Sequence, residues 1–157
     1  MPAYSFKARF VEFVKNGSKP GTIRDFRKYP TVAGQLAHLY YAMRTKSCTK
    51  LVAVSPKIRA VNVLLVTNDR RIMLFDTNWI DPSKRDAIKN GKYSVAGCNH
   101  RVLTASEANE LAWKDGFRHS DDAVKVEGCF DMMLDFWQQT HSLPFLGNHI
   151  IWSDYKY

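Results

Sequence analysis

The spacing of apolar residues changes period several times along this chain, and each period predicts an element. Phe6, Phe10, Phe13 and Val14 fall on roughly helical spacing with Lys and Glu between them. This predicts a short helix over 8–15, ended by Gly17. Residues 22–29 read as extended or irregular, and Ala33-Gly34 as a turn. Residues 35–43 (QLAHLYYAM) are fairly apolar on both parities, as in a strand covered on two faces. A polar loop follows over 44–50. Residues 51–66 then read as one long or two short strands, interrupted near Ser55-Pro56. Asn68-Asp69 signals a hairpin turn, with the return strand over 71–75.

Weaker signals span 77–100. Asp81-Pro82-Ser83 opens a short helix to Lys89, stopped by Gly91, and Gly97 to His100 reads as a turn. A brief strand over 101–104 leads into Thr104-Ala105-Ser106-Glu107, which has the form of a capping box. A helix over 105–114 follows, ended by Gly116. Residues 118–126 form a charged loop. Phe130, Met133, Leu134 and Trp137, at i, i+3, i+4 and i+7, mark the clearest helix, over 127–140. Pro144 and Gly147 punctuate, and 149–155 reads as a closing strand. With no repeat or linker, the expectation is one α+β domain of mostly antiparallel strands with three or four helices.

One stretch escapes this patterning. Asn16 to Asp25 sets Lys19, Thr22, Arg24 and Asp25 around Gly17 and Gly21 with no apolar period, so packing alone does not account for it. Charge sharpens the point. The chain of 157 residues carries a formal charge of +8. Residues 1–60 hold twelve Lys/Arg against two acidic side chains, whereas 61–157 hold eleven against thirteen. An excess confined to the N-terminal third favours a polyanionic or phosphate-bearing partner, and also fits a solvated basic surface.

Composition excludes several classes. Cys48, Cys98 and Cys129 are odd in number and widely spaced, without a C-x-x-C pair, which argues against a disulfide framework and for a reducing cytosol. Cys98 and His100 lack a second ligand pair, so no metal site is expected. The longest apolar run, Val61 to Val66, is broken by Asn62 and too short to span a bilayer, and no apolar signal core opens the chain. A cytoplasmic protein with no membrane partner is expected. No dinucleotide fingerprint, Walker loop, H-E-x-x-H or G-x-S-x-G occurs, and no cofactor is expected.

Two clusters carry candidate chemistry. A desolvated Lys19 loses basicity and can act as a general base, Thr22 is a hydroxyl nucleophile if within its reach, and Asp115 at a helix end can orient the lysine. Arg24 can hold a phosphate or a carbonyl. As a bare pattern, Lys-x-x-Thr arises often by chance. Arg44, Thr45, Lys46 and Lys50 follow Tyr40-Tyr41, offering phosphate contacts beside stacking faces; the same residues also fit core tyrosines and a solvated turn. Trp79, Trp113, Trp137 and Trp152 read as core or rim, and His38 as a packed, hydrogen-bonded histidine.

Phe6 to Phe13 followed by Gly17, Lys19, Thr22 and Arg24 resembles the opening Gly-x-Lys-x-x-Thr-x-Arg motif of ASCH domains, a branch of the PUA-like superfamily. Residues 39–48, 111–117 and 133–137 resemble the corresponding stretches of the longer, often phage-encoded members. Residues 66–100 match no part of the family. The resemblance implies a small mixed or antiparallel β-barrel with flanking helices and a cleft lined by the Lys19 loop. It implies binding of RNA, single-stranded nucleic acid or a modified nucleoside there, through Lys19, Arg24, Tyr40, Tyr41, Arg44 and Lys46. Small relatives are amidohydrolases acting on N4-acetylcytidine, and another branch is associated with ribonuclease activity. The amidohydrolase triad of lysine, threonine and glutamate would fall on Lys19, Thr22 and Asp115, with Asp one methylene shorter than Glu.

Overall fold

The computed structural model describes residues 1–93, 99–118 and 126–157. The expected turn at Gly97, the Cys98 thiol and most of the loop over 118–126 lie outside these residues. Among the described residues, eight strands divide into two sheets. β1 (Ala3–Phe6), β3 (His38–Tyr41) and β4 (Thr49–Lys50) form one, in the order β1-β3-β4. The other has the order β2-β8-β5-β6-β7, from β2 (Gly21–Asp25), β5 (Ala60–Val66), β6 (Ile72–Phe75), β7 (His100–Val102) and β8 (Phe145–Ile151). The pairs are antiparallel except β1 with β3, whose parallel pairing requires the long crossover that residues 7–37 supply.

The expected barrel is not closed among the described residues. β1 and β2 are the facing edges of the two sheets, and side chains rather than a ladder join them. Arg24 Nη2 donates to Ser5 O (2.8 Å), and Arg27 Nη2 donates to Ala3 O. An edge strand exposes unpaired backbone groups, and two guanidiniums cover this one.

Most helix ends match the sequence signals. A 3-10 turn (Ala8–Phe10) runs into α1 (Val11–Lys15). α2 (Pro82–Lys89) starts at Asp81, whose carboxylate accepts from Ser83 N. α3 (Ala105–Lys114) has the full capping box between Thr104 and Glu107. α4 (Cys129–Thr140) buries Met133, Leu134 and Trp137 along the predicted stripe.

The strands diverge more. β1 was not expected, although Tyr4 and Phe6 alternate with Ala3 and Ser5 in the two-residue period of a strand and are both buried. β3 is covered on one face only: Ala37 and Leu39 are buried, while Leu36 is exposed and His38 and Tyr40 are half-buried. Residues 51–59 form no strand; Lys57 makes a single bridge to Leu36. The closing strand begins at Phe145, earlier than expected, because Gly147 does not punctuate it. Gly147 lies inside the ladder, paired with Asp25 and Leu64, where a Cβ would stand 2.3 Å from Arg24 O.

The five-stranded sheet is covered on both faces. Val63, Leu65, Met73, Phe75 and Leu146 pack with Ile88 of α2. Leu64 and Val66 turn to the main core, which Tyr4, Phe6 and Leu39 share with α3 and α4. No helix among the described residues is long and apolar enough to cross a membrane.

Candidate functional site

The site begins with the way α3 stops. Asp115 caps its C-terminus, and Gly116 follows at φ +99°, a backbone conformation that favours glycine. Gly116 N donates to Trp113 O (3.1 Å) and Phe117 N to Ala112 O (3.0 Å), the paired bonds of a Schellman motif. The motif leaves the Asp115 carbonyl without a helical partner and turns its carboxylate inward. Gly116 has no room for a side chain, since a Cβ would lie 2.9 Å from the Phe10 ring.

The Asn16–Asp25 loop is fastened opposite. Ser18 N donates to Asn16 Oδ1 (2.9 Å), Lys19 N to Phe13 O (2.9 Å), and Arg118 Nη2 to Ser18 Oγ (2.6 Å). These bonds drive the Lys19 side chain into the interior, where it is 2% exposed. Its ammonium donates to the Asp115 carbonyl (2.5 Å) and to Asp115 Oδ1, and lies 5.2 Å from the centre of the Phe10 ring. The cation thus sits at the negative end of a helix as well as against a carboxylate. Burial lowers the pKa of Lys19, and the Asp115 charge opposes that shift. Burial also raises the pKa of Asp115, against the attraction of Lys19 and then of Arg24.

Lys19 and Asp115 form one wall of a cavity of 270 Å³ that opens beside the β1–β2 seam. Thr22 and Arg24 project into it from one face of β2. Arg24 Nε donates to Thr22 Oγ1 (3.2 Å), and its guanidinium carbon lies 5.1 Å from the centre of the Phe6 ring. Desolvation lowers the pKa of Arg24. Phe6, Phe10, Phe117, Phe136 and Trp137 supply aromatic walls, with Lys7 and His141 also on the lining. No protein-family model, curated protein or solved structure matches this chain.

The structure therefore brings Lys19, Thr22, Arg24 and Asp115 into one cavity, across more than ninety residues of sequence. Lys19 and Asp115 are in direct contact. No hydrogen bond links Lys19 Nζ to Thr22 Oγ1; the threonine hydroxyl is engaged by Arg24 instead. The second cluster lies elsewhere. Tyr41 borders a separate groove beside Val11 and Leu51, and Arg44 borders a different hollow near Tyr29. Lys46 is exposed and Tyr40 half-buried, and neither lines the Lys19 cavity.

Several participants had no local signal. Phe136 flanks a stripe that reads as core, and Trp137 serves as both core and cavity wall. His149 is buried behind the loop, 1% exposed, with Nδ1 hydrogen-bonded to the Tyr157 hydroxyl. Desolvation and then the Lys19 charge push its pKa down to about 3. Ser5 and Lys7 would have been placed by the Tyr4–Phe6 alternation. No group of three or more His, Cys, Asp or Glu among the described residues could hold a metal ion.

Proposed function

We propose that this chain is an ASCH-like domain of the PUA-like kind that binds RNA or a nucleotide, with one base in the Lys19 cavity. In this reading the two sheets facing across the β1–β2 seam are the family's barrel, opened at one side. The observation that carries the proposal is the composition of the cavity. Flat aromatic walls surround a buried donor, Lys19, and a buried acceptor, Asp115, with Arg24 and Lys7 alongside. A planar base with donors and acceptors on its edge suits such a site, and a phosphate suits the cations. The volume of 270 Å³ fits a single base or nucleoside better than a larger ligand. The exposed thiol of Cys48, which forms no disulfide, fits a reducing, cytoplasmic setting.

Fluorescence anisotropy with a short single-stranded RNA tests this. Affinity should fall steeply between about 50 and 200 mM salt, since each phosphate contact on a single strand contributes a slope of about 0.7. Absence of binding at the lower salt sinks the proposal.

One observation favours a hydrolytic reading of the same cavity. Burial lowers the basicity of Lys19, which is in contact with Asp115 as an orienting carboxylate. With Thr22 turned from Arg24 towards a neutral Lys19, its Oγ would attack the acetyl carbonyl of N4-acetylcytidine. Lys19 would take the hydroxyl proton and Arg24 would stabilise the oxyanion. Lys19 would return that proton to N4 as the amide C–N bond breaks, releasing cytidine and leaving acetyl-Thr22 for water to hydrolyse to acetate. Acetate release that is abolished in Thr22→Ala supports this reading, and absent or unchanged turnover removes it. A ribonuclease would instead cleave RNA without added metal.

A further inference from the structure

A second, more open hollow of 660 Å³ lies further along β1 from the Lys19 cavity. The two are not independent. The cavity borders Ser5, Phe6 and Lys7, whereas the hollow borders Met1, Pro2 and Ala3, so one strand carries both. Between them run the two arginines that bridge the seam, Arg24 on Ser5 O and Arg27 on Ala3 O. Alternate residues of a strand lie about 7 Å apart, so these guanidiniums form a regularly spaced pair along the edge.

Both arginines are held in place. Arg24 packs on Phe6, and the Arg27 guanidinium carbon lies 4.6 Å from the centre of the Tyr4 ring. The Tyr4 hydroxyl is in turn hydrogen-bonded to Thr31 Oγ1 at 3.1 Å. Each guanidinium has five N–H donors, and the backbone carbonyls and Thr22 occupy only some of them. Cations fixed this way lose little freedom when they take a phosphate.

The hollow itself has the chemistry of a strand-binding surface. Its charged walls are Arg27, Lys28 and Arg44, with no acidic residue among them. Tyr29 is 76% exposed at its border, with Lys28 Nζ 5.5 Å from its ring centre. Arg44 reaches this position from a backbone with φ +70°, two residues after Ala42 at φ +49°. Positive φ is uncommon for such residues and marks a turn held by its surroundings. The bonds from Thr45 Oγ1 to Ala42 O (2.7 Å) and from Ser47 N to Thr45 Oγ1 (3.1 Å) hold it here.

We infer that the hollow bordered by Arg27, Lys28, Tyr29 and Arg44 is a second subsite for the nucleotides adjoining the one in the Lys19 cavity. The ligand is accordingly a single-stranded oligonucleotide whose backbone crosses the β1–β2 seam over Arg24 and Arg27. This inference rests on the nucleic-acid reading above and adds that a lone nucleotide fills only half the site. Arg27 and Arg24 take consecutive phosphates, Lys28 and Arg44 take the next, and a base stacks on Tyr29.

The test is anisotropy competition with a mononucleotide, a single-stranded RNA octamer and a duplex of the same length, on the whole chain and on the variant Lys28→Glu/Tyr29→Ala. Both substituted side chains are exposed, and circular dichroism checks the fold. The wild type should bind the octamer at least about tenfold tighter than the mononucleotide or the duplex. The octamer-to-mononucleotide ratio should fall about tenfold in the variant, and the salt slope for the octamer should drop by about 0.7 for the lost Lys28 contact. Arg44→Gln, made separately, should lower that slope by a similar amount. Mononucleotide binding with no gain for the octamer, equal binding of the duplex, or an unchanged ratio in the variants overturns the second subsite and leaves the cavity reading intact. Failure of all three ligands to bind overturns both.

Discussion

Lys19 Nζ donates to both the main-chain carbonyl and the carboxylate of Asp115, which makes one buried contact the anchor of the loop and of the end of α3. Removing one partner of a buried pair strands the other charge, at a cost of about 3–5 kcal/mol. Lys19→Met and Asp115→Asn should each destabilise the chain by an amount of that order in urea unfolding. The double variant should cost clearly less than the two together. Additive losses would show that the groups contribute independently.

His149 makes stability depend on pH. Its pKa is about 3 in the folded chain, against about 6.5 when unfolded. Above about pH 6.5 both states are neutral at this site and it contributes no pH dependence. Between about 6.5 and 3 the unfolded chain binds a proton that the folded chain refuses, so stability falls as the pH falls, by up to about 1.4 kcal/mol per unit. Unfolding free energies of wild type and His149→Gln, measured across this range, should converge towards low pH. Parallel curves would show that His149 is not the group responsible.

Gly21 stands where β2 passes close to β8. A Cβ there would lie 2.5 Å from Ile150 O and 3.2 Å from His149 Nε2, and the first of these is backbone that cannot swing away. Gly21→Ala should cost about 1–3 kcal/mol, lowering the melting temperature. Because Gly21 adjoins Thr22, ligand affinity should fall as well. An unchanged melt would mean that the two strands can separate at no cost.

Arg24 tests geometry against charge. Its Nε engages Thr22 and its Nη2 engages Ser5 O, a fork that an ammonium cannot reproduce. Arg24→Lys keeps the charge and should still weaken RNA binding about tenfold, or about 1.4 kcal/mol, by anisotropy. Equal affinity would reduce Arg24 to a point charge.

Helix boundaries were the most legible part of the fold because their signals are local. The capping box at Thr104, the Asp81-Pro82 start and the glycines at 17, 91 and 116 each act on backbone within a turn of themselves. Strand limits were harder to read. Gly147 looks like punctuation in a one-dimensional reading, yet it is a ladder position emptied to admit the backbone of β2. Residues 51–59 have strand composition without a partner strand. The candidate site was half legible. Lys19, Thr22 and Arg24 stood out because no apolar period explained them, and Asp115 because a helix ended there.

The sequence by itself determined the helices, the charge asymmetry and the loop that carries Lys19, since propensity, capping and charge are properties of neighbours along the chain. Tertiary structure alone decided which distant groups met. It paired Lys19 with Asp115, gave the Thr22 hydroxyl to Arg24 rather than to Lys19, and set Arg44 in a different hollow from the loop it was expected to join. It also left the β1–β2 seam bridged by two guanidiniums. Those outcomes depend on how two sheets approach in space, and burial then fixes the chemistry, because the same lysine in water would remain an ordinary solvated cation.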